Sequence, residues 1–209
     1  MKVLMINGSS HQKGSTYTAL YEAAKALAEE GIESEIVQTG SETIMDCIAC
    51  GACRKNGGKC AFGDKDQINE IIEKAAEADG FIFGTPVYYA HPTGRILSLL
   101  DRVFYAGGGN FAYKPGAAVA SARRAGTTAS FDVLNKYFTI NKMPVVSSQY
   151  WNNIHGNNAA EAAEDAEGLQ TMYLLGKNMA WLLKCIEAGK KAGIEHPTPG
   201  PKQNTNFIR

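Results

Sequence analysis

The chain has 209 residues, 44% hydrophobic and 20% charged, with 21 Lys and Arg against 21 Asp and Glu. That length suits one large domain, and the balanced charge argues against broad electrostatic capture of nucleic acid or an anionic membrane. Dominant disorder is excluded, because it needs low hydrophobicity together with high net charge. No apolar run reaches the roughly 20 residues of a membrane helix, and no basic segment followed by a long apolar stretch opens the sequence. The expected setting is the cytoplasm, where thiols stay reduced and clustered cysteines point to metal or catalysis before disulfides.

Val3-Leu4-Met5-Ile6 is a compact apolar run that predicts a buried strand, ended by Asn7-Gly8. Ser15 or Thr16 can cap a helix running to about Glu30, with Leu20, Ala23, Ala24 and Leu27 at helical spacing and Gly31 beyond its end. Glu35-Ile36-Val37 reads as a second strand. The stretch from Thr39 to Lys65 has neither helical nor strand periodicity and holds four of the five cysteines. Asp66 to Ala78 predicts a helix with Ile68, Ile71, Ile72 and Ala75 on one face, and Gly80 to Gly84 a third strand stopped by Thr85-Pro86.

A helix over Gly94 to Phe104, a strand over Gly116 to Ser121 and a helix over Thr127 to Tyr137 follow. Pro144 to Ser148 is expected as the fifth strand, and Glu161 to about Lys190 as a long last helix. Its apolar face of Leu169, Met172, Tyr173, Leu175, Met179 and Leu182 predicts burial in the core or a dimer, with Cys185 packed in the core beside it. Strands alternating with amphipathic helices imply an α/β fold, an open five-stranded parallel sheet with helices on both faces. One domain is expected over residues 1–195, with an inserted cysteine loop at about 40–65. Residues 196–209, with three prolines, form an extended tail expected to lie on a neighbouring subunit.

In open parallel sheets, ligands bind beyond the carboxyl ends of the strands. The loop after the first strand, Gly8-Ser9-Ser10-His11-Gln12-Lys13-Gly14-Ser15-Thr16, offers glycines, four hydroxyls and the positive end of a helix. Those are the requirements for holding a phosphate. Lys13 precedes Gly14, so the nucleotide P-loop order fails, and only Gly8 and Gly14 are available for a dinucleotide fingerprint. What remains is a loop for a phosphate monoester, or a polar turn with a good helix cap.

These residues resemble a known family. Gly8-Ser9-Ser10 followed by Gly14-Ser15-Thr16 is similar to the FMN phosphate loop of the flavodoxin-like NAD(P)H-dependent FMN reductases. Ala78 to Tyr89 resembles that family's strand and flavin-contacting loop, and Leu100-Asp101-Arg102 stands where its next helix ends in Leu-Asp-Arg. The resemblance runs over about residues 1 to 190. It implies a flavodoxin-like fold, with the FMN phosphate at Ser9, Ser10, Gly14, Ser15 and Thr16. It further implies the flavin ring beside Thr85, Pro86, Val87, Tyr88 and Tyr89, approached from the other side by Ser121, Arg123 and Gly126. Asp101 and Arg102 read as structural ion-pairing residues, and His11 as a solvated side chain. Tyr150-Trp151-Asn152-Asn153 and His155-Gly156 are open to two roles, covering a bound ring or packing against a subunit.

Cys47, Cys50, Cys53 and Cys60 give C-x2-C-x2-C-x6-C, in which the close triplet wraps one small object. Four thiolates suit tetrahedral zinc or an iron–sulfur cluster, and the triplet favours the cluster. The pattern departs from the bacterial ferredoxin run and resembles the compact motif of the iron–sulfur flavoproteins, a branch of the same family. That resemblance implies these four cysteines as ligands of a 4Fe-4S cluster, while redox-active thiols and zinc stay open.

The expected function is an FMN-dependent oxidoreductase passing electrons from NAD(P)H or a reduced carrier to a small acceptor such as flavin or quinone. The alternatives are an iron–sulfur flavoprotein electron carrier between protein partners, and a redox-sensing protein that switches through its cysteine loop. The cofactor supplies the chemistry, so no catalytic side chain is singled out. A homodimer or higher oligomer is expected, because flavin sites in the family commonly lie at subunit interfaces.

Overall fold

The computed structural model describes residues 1–201 and 203–207. Lys202, Ile208 and Arg209, which belong to the expected tail, lie outside the described residues. The parallel sheet is built from β1 (Lys2–Asn7), β2 (Glu33–Gln38), β3 (Gly80–Tyr88), β5 (Gly116–Ala122) and β6 (Asn153–His155), in the order β2-β1-β3-β5-β6. A two-residue strand, β4 (His91–Pro92), folds back antiparallel on the end of β3. The helices are α1 (Ser15–Glu29), α2 (Ile68–Glu77), α3 (Gly94–Gly107), α4 (Thr127–Ile140), α5 (Ala159–Ala162) and α6 (Ala166–Lys191). Among the described residues no helix is long and apolar enough to cross a membrane.

The central strands are apolar throughout because both of their faces are covered. Val3 and Met5 of β1 and Ile82 of β3 pack into one core with α1 and α6. Leu4, Ile6, Phe81 and Phe83 point the other way, into a second core with α2, α3 and α4. This is the two-residue alternation of a strand inside an unbroken hydrophobic run. The second core is rich in aromatic rings, with Phe104 and Phe111 stacked at 4.5 Å and Phe83 on Phe138 at 5.3 Å. β5 offers Gly116 there, where a Cβ would stand 2.6 Å from the Phe138 ring.

Several expected elements change. β3 does not stop at Thr85-Pro86. It pairs with β5 as far as Pro86 opposite Ser121 and then continues into the β4 hairpin. Pro144 to Ser148 is not a strand: it makes one isolated bridge, Val145 to Gly116, and leaves the sheet. The edge position goes to Asn153–His155, entered through Asn152, whose carbonyl accepts from Ala120 N–H at 3.0 Å. The long last helix begins as the separate α5 and then α6, where Asp165 caps by accepting from Gly168 N–H at 3.0 Å. Cys185 is exposed rather than packed in the core. The buried stripe of α6 runs Met172, Leu175, Met179 and Leu183, and two residues past Leu183 is about 200° around the helix. At the start of the tail the His196 ring is stacked 4.2 Å from Tyr113, whose hydroxyl donates to Pro197 O at 2.9 Å.

α1 and α6 are side by side over the first core. At Gly176 of α6 an added Cβ would stand 2.5 Å from the carbonyl oxygen of Ala23 and 2.7 Å from Ala26 Cβ. Gly176→Ala is therefore expected to destabilise by about 1–3 kcal/mol in urea unfolding, through overpacking. Gly189→Ala on the same helix, where the nearest atom to the new Cβ is 3.9 Å away, is expected to be neutral or stabilising.

The same pair of helices is laced by charge. Glu30 accepts from Lys184 Nζ at 2.5 Å and from Lys177 Nζ at 2.9 Å, which holds its carboxyl at about 2 against an ordinary 4.5. A lowered folded value means that the contribution is present above about 4.5 and disappears as pH falls toward about 2. The Tm difference between wild type and Glu30→Gln should shrink across that window, and also in high salt. Thermal melts at several pH values check it.

Candidate functional site

Beyond the carboxyl ends of β1, β3 and β5 lies an open cavity of about 420 Å3. Its floor begins at the loop after β1, which is stapled from three directions. Gly8 N–H donates to Gly84 O of β3 at 2.8 Å, and Thr93 Oγ1 donates to Gly8 O at 3.1 Å. From β2, the Gln38 amide donates to Ser9 O at 2.7 Å and accepts from the buried Asn7 amide at 2.6 Å. Asn7 Oδ1 in turn accepts from Ser9 N–H at 3.2 Å. α1 then starts at Ser15 with Gly14 as its N-cap, no side chain capping it and no acidic residue in its first turn. Its first amides stay available, and the helix end favours an anion.

The opposite wall is the β3–β4 hairpin. Tyr88 pairs with His91, leaving Tyr89 and Ala90 as a two-residue loop with φ of +50° and +59°. A loop of this length favours positive φ, yet neither residue is glycine, so the tip is strained by roughly 1–3 kcal/mol per residue. Gly126, at φ +94°, makes room for the tip: a Cβ there would stand 2.5 Å from Ala90 Cα and 2.7 Å from Val87 Cγ1. Thr85 is buried and accepts from Thr93 N–H at 3.1 Å while donating to Pro86 O at 2.9 Å.

Of the residues singled out from the sequence, Ser9, Gly14, Ser15, Thr16, Pro86, Val87, Tyr88, Ser121 and Arg123 line the cavity. Thr16 Oγ1 and Ser121 Oγ share a buried hydrogen bond of 2.7 Å at its base. Ser10, Thr85, Tyr89 and Gly126 stand outside the lining. Thr85 and Gly126 brace the hairpin from behind, and Tyr89 projects fully into solvent. His11, Lys13, Ala122, Gly156, Asn157, Asn158 and Ala159 complete the wall. Asn7, Gln38 and Thr93, which shape it, carry no separate signal in the sequence. The start of α5 does carry one, a capping pair in which Asn158 accepts from Glu161 N–H at 3.0 Å and Glu161 accepts from Asn157 N–H at 2.8 Å. Tyr150 and Trp151 lie away from this cavity, around a smaller one with Asn153 and His155.

The four cysteines come together elsewhere. Cys47, Cys50, Cys53 and Cys60 line one cavity of about 250 Å3 against α3. Among the described residues no three His, Cys, Asp or Glu side chains are gathered as the ligands of a single metal ion. The thiols instead border a space several times the ≈ 30 Å3 share of one water, and that donor set fits a sulfur-rich group of several atoms. Gly51 (φ +68°) turns the backbone between the second and third cysteines. Asn69 of α2 clamps Cys60, accepting from its N–H at 2.7 Å and donating to its carbonyl at 3.1 Å. Arg102 of α3 is 1% exposed; it pairs with Asp66, donates to Met45 O at 3.1 Å, and donates from Nε and Nη2 to Cys60 Sγ at 3.3 Å each. Burial works against the guanidinium charge, but Asp66 and Cys60 more than offset it and its pKa is raised.

A family model described as NADPH-dependent FMN reductase matches residues 1–158. The chain belongs to this family. An iron–sulfur flavoprotein of Methanocaldococcus jannaschii is 34% identical over 195 residues, covering 90% of this chain and 100% of that protein. A second, from Methanosarcina thermophila, is 32% identical over 196 residues, covering 91% and 99%. A solved flavodoxin from the domain Archaea superposes with a TM-score of 0.61 at 14% identity, covering 88% of this chain and 99% of that one, so the fold is flavodoxin-like. The residues of this FMN reductase family member fit an FMN phosphate at the α1 end. Hydroxyls and uncapped amides form the cradle, and Lys13 and Arg123 stand on the rim.

Gly126→Ala is expected to cost about 1–3 kcal/mol from its positive φ and further stability from the contact with Ala90. Urea unfolding reads the loss, and faster hydrogen exchange at Val87 to Ala90 reads where the loop has been displaced.

Proposed function

We propose that this chain is an FMN-dependent oxidoreductase carrying an iron–sulfur cluster in its cysteine cavity. It passes electrons from NAD(P)H or a reduced carrier to a small acceptor such as flavin or quinone. The carrying observation is the cavity in which the uncapped start of α1, the β3–β4 hairpin and the β5 loop converge. Bound FMN supplies hydride and single-electron transfer. The protein's part is placement: Gly14, Ser15 and Thr16 bind the phosphate, and Pro86 to Tyr88 border the ring. Arg123, on the cavity lining, would contribute positive charge that favours negative charge on the bound group. Cys47, Cys50, Cys53 and Cys60 would hold the cluster.

A second reading, an electron carrier between protein partners, draws support from the cysteine cavity's rim. Cys50 and the apolar Ile48 and Tyr105 are exposed there, and exposed apolar surface suits a protein contact. Steady oxidation of NAD(P)H with a quinone favours the enzyme; rapid reduction only by a protein donor favours the carrier.

Protein purified without oxygen and reconstituted is expected to show a flavin spectrum, with about four irons and matching sulfide per chain. Flavin without iron would leave a plain FMN reductase, and absence of flavin would overturn the proposal. Thr16→Val removes the hydroxyl paired with Ser121 and should weaken FMN binding about 10-fold or more, the loss of a hydrogen bond to a charged group. Fluorescence titration of the apoprotein with FMN measures it.

A further inference from the structure

Arg102 is the largest fully buried side chain among the described residues. A buried charge is tolerated only when it is paired and hydrogen-bonded, and Asp66, with both carboxylate oxygens engaged by the guanidinium and its side chain 5% exposed, meets that need. The pair does not account for the rest of the guanidinium. Its Nε and one Nη2 hydrogen point at the sulfur of Cys60, a direction that neutralising Asp66 does not require. The Phe62 ring lies over the guanidinium carbon at 4.7 Å, on the cavity side that Phe62 and Arg102 both line.

We infer that Arg102 and Asp66 act as a matched pair that sets the reduction potential of the group held by the four cysteines, Arg102 acting through the Cys60 sulfur. This rests on the proposed occupancy of that cavity. Hydrogen bonds to ligand sulfurs and the net charge around them are what tune such potentials. Reduction adds one electron to the bound group with no bond made or broken, so a nearby positive charge favours the reduced form and raises the potential. A nearby negative charge lowers it. The side chains of Arg102 and Asp66 are almost fully withdrawn from solvent, so their charges are weakly screened. Arg102 is a positioning residue here, and Asp66 its counterweight. Arg54, on the rim of the same cavity, is exposed and solvent screens its charge.

The test is a dithionite titration of anaerobically reconstituted full-length protein, followed by electron paramagnetic resonance, with iron and sulfide assayed first on the wild type. Wild-type protein that takes up no cluster overturns the occupancy reading, and this inference with it. In loaded protein, Asp66→Asn should move the midpoint upward, because the carboxylate charge is gone while the guanidinium remains. Adding Arg102→Gln to Asp66→Asn should bring the midpoint back down without leaving a buried carboxylate unpaired. A purely structural role would lower the cluster content and leave the midpoint of the loaded fraction unmoved. Loaded wild type and Asp66→Asn with equal midpoints, or a downward shift in Asp66→Asn, overturn the inference while leaving the cluster reading intact. Should the double variant take up no cluster, Asp66→Asn against wild type decides by itself.

Discussion

The ion pair between Arg102 and Asp66 is the constraint on which the cysteine segment depends. From Thr39 to Lys65 the chain holds only two three-residue 3-10 turns, Ala52–Arg54 and Gly63–Lys65, and a stretch of that length without regular structure needs outside fixings. Arg102 supplies three at once, reaching the Asp66 carboxylate, the Met45 carbonyl and the Cys60 sulfur. Arg95, also on α3, takes the carbonyls of Ser41 and Glu42, and Gln67 donates to Thr39 O at 3.1 Å. Breaking a buried pair by removing one partner costs about 3–5 kcal/mol, so this contact both orders the segment and commits Arg102 to it.

α3 serves both sites. At its N-cap, Thr93 holds the Gly8 carbonyl and accepts from Ile96 N–H, fixing the loop at the base of the first cavity. Nine residues later Arg102 fixes the second, about 14 Å along the axis at 1.5 Å per residue. Ile96, Leu99 and Leu100, on the buried face between, seat the helix in the aromatic core. The separation of the two cavities is thus set by a packed helix and not by loops. The first loop is fixed just as firmly, since Asn7 and Gln38 engage the Ser9 amide and carbonyl from within the sheet, while the first amides of α1 stay uncapped.

Most of the fold was legible because its signals are local. β1, β3 and α2 announce themselves by apolar runs or helical spacing, and the structure keeps them within a few residues. Pro144 to Ser148 misled because Val145 and Val146 resemble a strand in composition, while the true edge strand, Asn153–His155, has Ile154 as its single apolar residue and is anchored by Asn152, whose amide donates to Ala118 O and whose carbonyl accepts from Ala120 N–H. Cys185 misled because neighbours in sequence on a helix do not share a face. The grouping of Ser9, Thr16, Val87 and Ser121 around one cavity followed from a loop pattern and a family resemblance. The contributions of Asn7, Gln38, Thr93 and Asn69 did not, since each depends on a partner up to 85 residues away and nothing in its own surroundings marks it. Arg102 read correctly as an ion-pairing residue, but its reach to a sulfur depends on the third dimension.

The Tyr89-Ala90 tip bears on how this protein can change. Asn-Gly at those two positions is the sequence this turn prefers, and it would release most of the strain stored there. It would also remove a ring that now stands free beside the cavity and loosen a tip that Gly126 holds close. Thermostability and the exposed aromatic ring of the hairpin tip are drawn from the same two residues, so an engineered gain in the first comes at the expense of the second.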